Sequence, residues 1–461
     1  MPDNSGDAIL PKAKCRELFG IAQQAAKSLG ISDLEALFGA HFGALTRFAN
    51  NTIHQNVAEQ DRWISIRVAL DQKTARATTN RFDADSIGTA VGQALILARS
   101  AAPNPDLLPL AEPSMLSAPS VISETRRFDE STSDTTPEQR GRTVAEAIRI
   151  VESESQTAAG IYSTGQSVEA IFNSRGVAAW HAETMAQFSI TAMAGDSSGW
   201  AKASAVSRDS IDPLALARSA AQKARLSRDP AEIAPGRYTV ILEPAAVLDL
   251  VGQMFGDFSA TAVADSRSFL TDRVGKKLFG DNIQIWDDVA HPLQAGVPFD
   301  GEGVPRRKLT LVDAGVPREL AYSRSSAHKA GVAPTGHGFP LPNDVGEAPL
   351  NIVIAGGSSS IEQMIASTER GILVTRLWYI REVDPYEKIM TGMTRDGTFL
   401  IENGRLSRGL RNFRFNQGII ELLNNVEALG PALRASGEEA FDMVAPAMKA
   451  RGFNFTEVTR F

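Results

Sequence analysis

Ile64-Ser-Ile-Arg-Val-Ala-Leu70 alternates apolar and polar side chains without a break, the period-two signature of a half-buried strand. Across Asp71-Gln72, the run Thr74–Thr79 reads as its hairpin partner. Asp85–Ala102 follows as a helix, opened by Asp85 or Ser86 as its cap. Upstream, Phe42–Val57 alternates through Leu45, Arg47, Ala49, Asn51 and Ile53. Before it, Ala8–Leu29 carries Leu18, Ile21, Ala25 and Leu29 at helical spacing and closes at Gly30.

The same order returns further along. Ser167–Arg228 reads strand, strand, strand, helix, as Leu45–Ser100 does. Phe48/Phe172, Ala58/Ala182, Glu59/Glu183, Ile66/Ile190, Ala77/Ala201 and Ile87/Ile211 all share one separation (172 − 48 = 124). A single offset with no internal gap predicts a duplicated strand-rich and helical unit, about 45–102 and 167–228. Between the copies, 102–137 holds Pro103, Pro105, Pro109, Pro113, Pro119 and Pro137 and reads as a semi-rigid extended connector. Thr136 then caps a helix that runs through Ser153.

Arg228-Asp-Pro and Pro235-Gly mark a boundary. Beyond it the spacing predicts short strands at Tyr238–Leu242, Ile283–Trp286, Lys308–Val312, Leu350–Ala355, Gly371–Arg381 and Thr398–Glu402. Helices are expected at Ala245–Asp265, Ser358–Ser367 and Ser436–Arg451. Strands without regular βα alternation predict an α+β fold. It has two domains, an N-terminal α/β domain over 1–232 and a mainly β domain over 233–461.

Composition narrows the function. Of 461 residues, 43% are hydrophobic and 22% charged, as in an ordinary soluble globular protein. No run approaches the roughly 18–20 apolar residues of a membrane span. Met1-Pro-Asp-Asn-Ser-Gly-Asp lacks the basic and apolar regions of a secretory signal, so a cytoplasmic protein is expected. Cys15 is the single cysteine, which excludes an intramolecular disulfide and any site with several thiolates. A net charge of −7 argues against general nucleic-acid binding, which depends on phosphate neutralisation.

Six histidines are present, none in the H-E-x-x-H or H-x-x-x-H spacing that sets two imidazoles on one helix face. His328 and His337 share a Gly-rich loop, where spacing says little about convergence. Phe299-Asp-Gly-Glu-Gly-Val sets Asp300 and Glu302 in a turn, either as solvated carboxylates or as an acid/base pair. Gly356-Gly-Ser-Ser-Ser-Ile reads as a strand-to-helix turn with a capping serine. Asp396-Gly397 and Asn403-Gly404 read as two turns flanking a strand. Arg381, Asp384, Arg395 and Asp396 lie close to Trp378 and Tyr379 along the chain. They are the candidate peptide contacts, should a groove here accept an extended peptide as an added strand.

Four separated stretches together resemble the TldD/PmbA family: Arg47–Glu59, Ser268–Phe279, Pro298–Val304 and Thr394–Gly404. The resemblance runs from about residue 10 to 455. It implies a cytosolic pair of subunits that trims unfolded or leader peptides inside a cleft. One subunit type is a zinc metallopeptidase with H-E-x-x-x-H on a helix and a further cysteine ligand; the other, TldE-like type lacks the metal. In this sequence the corresponding helix reads Ala245-Ala-Val-Leu-Asp-Leu-Val-Gly-Gln-Met-Phe-Gly256. Val247, Leu248 and Gly252 have no metal-ligating atoms in their side chains, and a C-terminal cysteine is missing. The resemblance therefore implies a TldE-like chain with no metal, no cofactor and no catalytic residue of its own, paired with a TldD-like zinc subunit. Two other readings stand beside it. One is an autonomous hydrolase built on His328, His337, Asp300 and Glu302. The other is a non-catalytic peptide-binding homodimer, its interface in the C-terminal domain.

Overall fold

The computed structural model describes residues 8–116 and 127–459. The expectation for the first seven residues, and the middle of the Pro-rich segment, lie outside that range. In the N-terminal half, α1 (Lys12–Ser28), β1 (Asp33–Ala49), β2 (Thr52–Leu70), β3 (Lys73–Thr79) and α2 (Ala84–Ser100) come first. A short α3 (Glu130–Ser133) leads to α4 (Pro137–Ser153), β4 (Thr157–Asn173), β5 (Ala178–Ala194), β6 (Ser197–Ala205) and α5 (Pro213–Leu226). The six strands make one antiparallel sheet in the order β3-β2-β1-β4-β5-β6.

The register carries the repeat. Phe42 lies opposite Gln166 (166 − 42 = 124), on the axis where the two copies meet. Ala44 faces Ala58 in the first copy, and Val168 faces Ala182 in the second. Ile66 faces Ala77, and Ile190 faces Ala201. Each pairing recurs with both numbers raised by the same offset. The tight turns after β1 and β2 place Asn50, Asn51, Asp71 and Gln72 at positive φ, the conformation of turns that match strand twist.

Helices cover one face of this sheet. α1 and α2 pack on Leu34, Ala36, Phe38, Ile64, Ile66 and Val68. α4 and α5 pack on Ala158, Phe188 and Ile190. The copies interlock. Phe48 of the first copy packs in the second cluster, stacked on Phe188 with centroids 6.2 Å apart. Phe172 of the second packs in the first, 5.8 Å from Phe19. Cys15 is buried on α1, and burial pushes its thiol up to about 12. Asp83, rather than Asp85 or Ser86, caps α2 by accepting the Ser86 N–H at 2.9 Å. Thr136 forms the expected cap of α4, in a capping box with Gln139. The Pro-rich segment is not simply extended, since Pro113–Leu116 makes a 3-10 turn and α3 follows.

The C-terminal half contains two further sheets. Its elements are β7 (Gly236–Leu242), α6 (Pro244–Val251), α7 (Ala260–Ala264), β8 (Ile285–Asp287), β9 (Leu309–Asp313), β10 (Val316–Pro317), α8 (Arg324–Ala330), β11 (Ile352–Ile354) and α9 (Ile361–Ala366). Then come β12 (Arg370–Asp384), β13 (Ile389–Glu402), β14 (Arg405–Gly409), β15 (Phe413–Gly418), α10 (Ile419–Asn424), β16 (Val426–Leu429), β17 (Leu433–Ala435), β18 (Met443–Ala445) and β19 (Met448–Val458). One sheet runs β10-β9-β8-β11-β18-β17. In the other, β12-β7-β19-β15-β13 closes on itself because β13 also pairs with β12, so those five strands expose no edge to each other. The fold is α+β, as expected.

Three local expectations fail for physical reasons. Ser436–Arg451 forms loop and strands, because Pro446 cannot sit inside a helix and β19 pairs with β7 and β15. Ala245–Asp265 is broken after Val251 into a 3-10 stretch, Gly252–Phe258, before Ser259 caps α7; Gly252 and Gly256 weaken helix propensity there. Asp396-Gly397 is not a turn but a bulge inside β13, with φ of 51° and 130°. Asn403-Gly404 is the expected hairpin turn.

Polar contacts bind the halves together. Glu35, fully buried, pairs with Arg67 at 2.8 Å and with Arg76, whose Nε donates to the Leu341 carbonyl. Arg324 donates to the Pro109 carbonyl at 2.8 Å, and Lys223 pairs with Glu243 at 2.7 Å. Removing one member of a buried ionic cluster leaves charge uncompensated. Glu35→Ala is therefore expected to lower unfolding free energy by roughly 3–5 kcal/mol, measured by urea denaturation. A loss below about 1 kcal/mol, the scale of an exposed pair, would contradict this placement.

A candidate cleft between the sheet and the C-terminal loops

The uncovered face of the N-terminal sheet forms one wall of a cleft of about 540 Å³. Strand alternation decides which residues reach it, since neighbours of the helix-facing residues point the other way. Leu37, Trp63, Glu169, Glu183 and Met185 stand on this wall. The opposite wall comes from Gly296–Val297, Phe299–Gly301, Arg306, Gly338–Pro340, Arg434 and Phe441. Past Glu183 and Met185 the cleft continues into a groove of about 320 Å³ along the repeat axis, beside His41, Gly43, Val57 and Glu59.

The sheet wall holds two carboxylates in unequal states. Glu169 lies opposite His181 in the β4–β5 ladder, and Glu183 is one step further on the same face. Glu183 accepts the Gly296 N–H at 2.7 Å and sits 3.4 Å from His181 Nε2. Burial alone would raise its pKa, but His181, the Gly296 amide and Arg127 outweigh burial and hold it below the usual range. Glu169 is pushed upward, first by desolvation and then by the charge of Glu183. The two neighbouring carboxylates therefore stand in unlike environments, one hydrogen-bonded and facing cations, the other set apart by burial. Arg434 on the far wall is lowered by burial and steadied by Asp442, 3.4 Å away.

Behind the loop wall, Asp300 and Glu302 are both 3% exposed rather than solvated. Asp300 accepts the N–H groups of Glu302, Val304 and Gly338 at 2.9–3.0 Å. Burial first, and the charge of Glu302 second, push it up to about 7. Glu302 is spent on Arg324 at 2.8 Å. Gly301 is required here, since a Cβ would lie 2.2 Å from the Pro340 nitrogen. His337 is buried 3.1 Å from Asp287, while His328 is exposed on α8, so the loop does not bring the two histidines into one environment. Gly356 and Gly357 pack on the backbone of 429–432, and Ser360 caps α9.

None of the four candidate peptide contacts lines the cleft or its groove. Arg381 is exposed, 4.4 Å over the Tyr379 ring. Asp384 accepts the N–H groups of Tyr386 and Glu387 and so caps the β12–β13 turn. Arg395 stacks 4.9 Å from the Trp378 ring. Asp396 is 7% exposed, pairs with Arg376 and accepts the Ser198 hydroxyl at 2.7 Å, joining β13 to β6. Glu169 and Glu183 carry no local motif in the sequence; the only signal there is the match of Glu183 with Glu59 at the repeat offset.

The sequence matches three domain models in order: PmbA/TldA metallopeptidase domain 1 over 35–98, the central domain over 127–228 and the C-terminal domain over 235–457. The chain belongs to the PmbA/TldD metallopeptidase family. Metalloprotease PmbA of Escherichia coli O157:H7 is 22% identical over 402 residues, spanning 85% of this chain and 86% of that one. A metalloprotease of Methanothermobacter thermautotrophicus is 24% identical over 293 residues, 59% of this chain and 62% of its own length. The crystal structure of TldE from Thermococcus kodakarensis superposes with a TM-score of 0.84 at 20% identity, covering 96% of this chain and 99% of that one.

The family name implies a metal, and the residues on α6 do not fit one. Val247 and Leu248 are fully buried in the core, and Gly252 has no side chain. Among the described residues, no three His, Cys, Asp or Glu side chains converge as a metal-binding group. Asp249, also fully buried on α6, accepts the N–H groups of Glu438 and Glu439 at 2.9 Å each, and burial pushes it up to about 6. Glu439 in turn accepts the Tyr379 N–H at 2.8 Å. The helix thus anchors the loop that carries Phe441 into the cleft. No helix among the described residues is long and apolar enough to cross a membrane.

A carboxyl raised in the folded state stabilises fully below its unfolded pKa, and that contribution is lost as pH climbs through the folded value. For Asp300 the window runs from about pH 4 to about 7. Asp300→Asn does not titrate there. The stability of the native protein relative to this variant should fall across that window by up to roughly 4 kcal/mol, measured by denaturation at stepped pH. A constant difference would contradict the burial of a titrating Asp300.

Proposed function

We propose that this chain is the metal-free, TldE-like subunit of a two-subunit cytoplasmic peptidase. It shapes and charges a peptide-binding cleft, while a TldD-like partner with H-E-x-x-x-H carries out hydrolysis. The observation that carries this reading is the content of α6 and its C-terminal cap, where the resemblance sets the metal motif and this chain has Val247, Leu248 and Gly252. A zinc peptidase acidifies water and polarises the scissile carbonyl through its metal, and these side chains offer no donor for one.

The cleft supports the rest of the reading. Glu169 and Arg306 face it from opposite walls, which suits a substrate carrying charges of both signs. Arg381 and Arg395, exposed beside Tyr379 and Trp378, are the candidates for contacts outside the cleft. The same reading takes 1–232 and 233–461 as two domains, their interface walling the substrate path.

The test uses the chain alone and the chain co-expressed with an H-E-x-x-x-H family member from the same genome, each given an unfolded protein substrate. Hydrolysis is expected only from the pair. Glu169→Gln in this chain should lower the rate of the pair by about tenfold, the cost of one charge-assisted contact. Hydrolysis by the chain alone at the rate of the pair would overturn the proposal.

A further inference from the structure

The two copies of the sheet differ along the outer edge of β2 and β5. β3 pairs with β2 only over Ile64–Leu70. From Thr52 to Trp63 the outer side of β2 has no strand beside it among the described residues. In the second copy the matching edge is filled. Thr184 donates its N–H to the Arg127 carbonyl at 3.0 Å, and Asp129 N–H donates to the Thr184 hydroxyl at 3.0 Å. Thr184 and Ala182 are buried there. Their counterparts 124 residues earlier, Gln60 and Ala58, are exposed.

Equal registers fix the direction of the backbone. Gln166 lies opposite Thr184 as Phe42 lies opposite Gln60. The Thr184 N–H points outward, so the N–H and C=O of Gln60 point outward too, together with those of Asn56, Ala58 and Arg62 at period two. Between Asn56 and Arg62 there is no Pro and no bulge, and the charges that mark the edge are those of Glu59, Asp61 and Arg62. The strap that fills the second copy also defines a charge. The Arg127 guanidinium donates to the Val289 and His291 carbonyls, and its charge also acts on Glu183 across the strand face. The counterpart of Glu183 is Glu59, exposed and with no ion pair among the described residues.

We propose that Asn56–Arg62 is a docking edge for an extended segment of a partner polypeptide, which adds a strand there and sets a basic side chain beside Glu59. The occupant follows from the internal counterpart: an extended backbone with an arginine, as in Arg127–Asp129. Main-chain hydrogen bonds would supply affinity and the basic residue would set register. This goes beyond the cleft, because the edge lies on the outer side of the strand, although Glu59 also borders the groove beside it.

The probe is a labelled peptide, blocked at both ends, that copies Arg127–Ser133. It is titrated into the full chain by fluorescence anisotropy, with hydrogen exchange read over 56–62. Saturable binding and slowed exchange at those amides are expected. Gln60→Pro removes the outward N–H at an exposed edge position and should weaken binding at least about tenfold, whereas Gln60→Ala should retain it. Glu59→Gln, or glutamine for the arginine in the peptide, should weaken binding several-fold. If Gln60→Pro fails to fold, Glu59→Gln and the peptide variant carry the test. No saturable binding at millimolar peptide, or binding indifferent to Glu59 and to the peptide arginine, would overturn the proposal.

Discussion

Antiparallel pairing of β1 with β4, centred on Phe42 opposite Gln166, is the contact on which the other layers depend. It joins two three-stranded sheets into one of six, and a sheet of that width can offer one face to helices and the other to a cleft. The Gln166 side chain holds the junction from both sides. Its carbonyl oxygen accepts the Ile9 N–H at 3.0 Å, and its amide donates to the Ser133 hydroxyl at 2.9 Å. Ile9 and Ser133 are themselves separated by the repeat offset (133 − 9 = 124). Phe48 and Phe172 then cross the axis into each other's core, so neither copy buries its own hydrophobic set alone.

From that sheet the site follows. Helix-facing positions are aliphatic and aromatic, and the alternate positions carry Glu35, Arg67, Glu169 and Glu183 toward the C-terminal half. Part of this polar set clamps the halves, as in Glu35 with Arg67 and Arg76. Part is left facing the cleft, as in Glu169. Buried ionic clusters contribute little net stability compared with apolar packing but penalise misplacement heavily. They therefore fix how the C-terminal loops sit over the sheet, and with that the width of the cleft.

The repeat and the α+β class were legible because they rest on local periodicity and a constant spacing. Ile64–Leu70 could be read as a strand without knowing its neighbours. The closed pairing of β12 with β13 and β7 could not, because it depends on contacts far apart in the chain. Ser436–Arg451 has apolar spacing that suits a helix, but Pro446 and the pairing of β19 exclude one. The resemblance drew attention to α6 for its lack of metal ligands, but Asp249 there has a use visible only in three dimensions, as the anchor of the loop at 438–439. The cleft carboxylates were hidden for a similar reason. Glu169 and Glu183 lie on different strands, and no local motif joins them.

Where the resemblance sets a metal motif, α6 has core packing and a loop anchor instead. Elemental mass spectrometry of the full chain, purified alone and without chelator, tests this directly. Less than about one-tenth zinc per chain is expected, since no ligand set converges among the described residues. Zinc near one per chain would contradict it, and would require ligands that the folded chain brings together elsewhere.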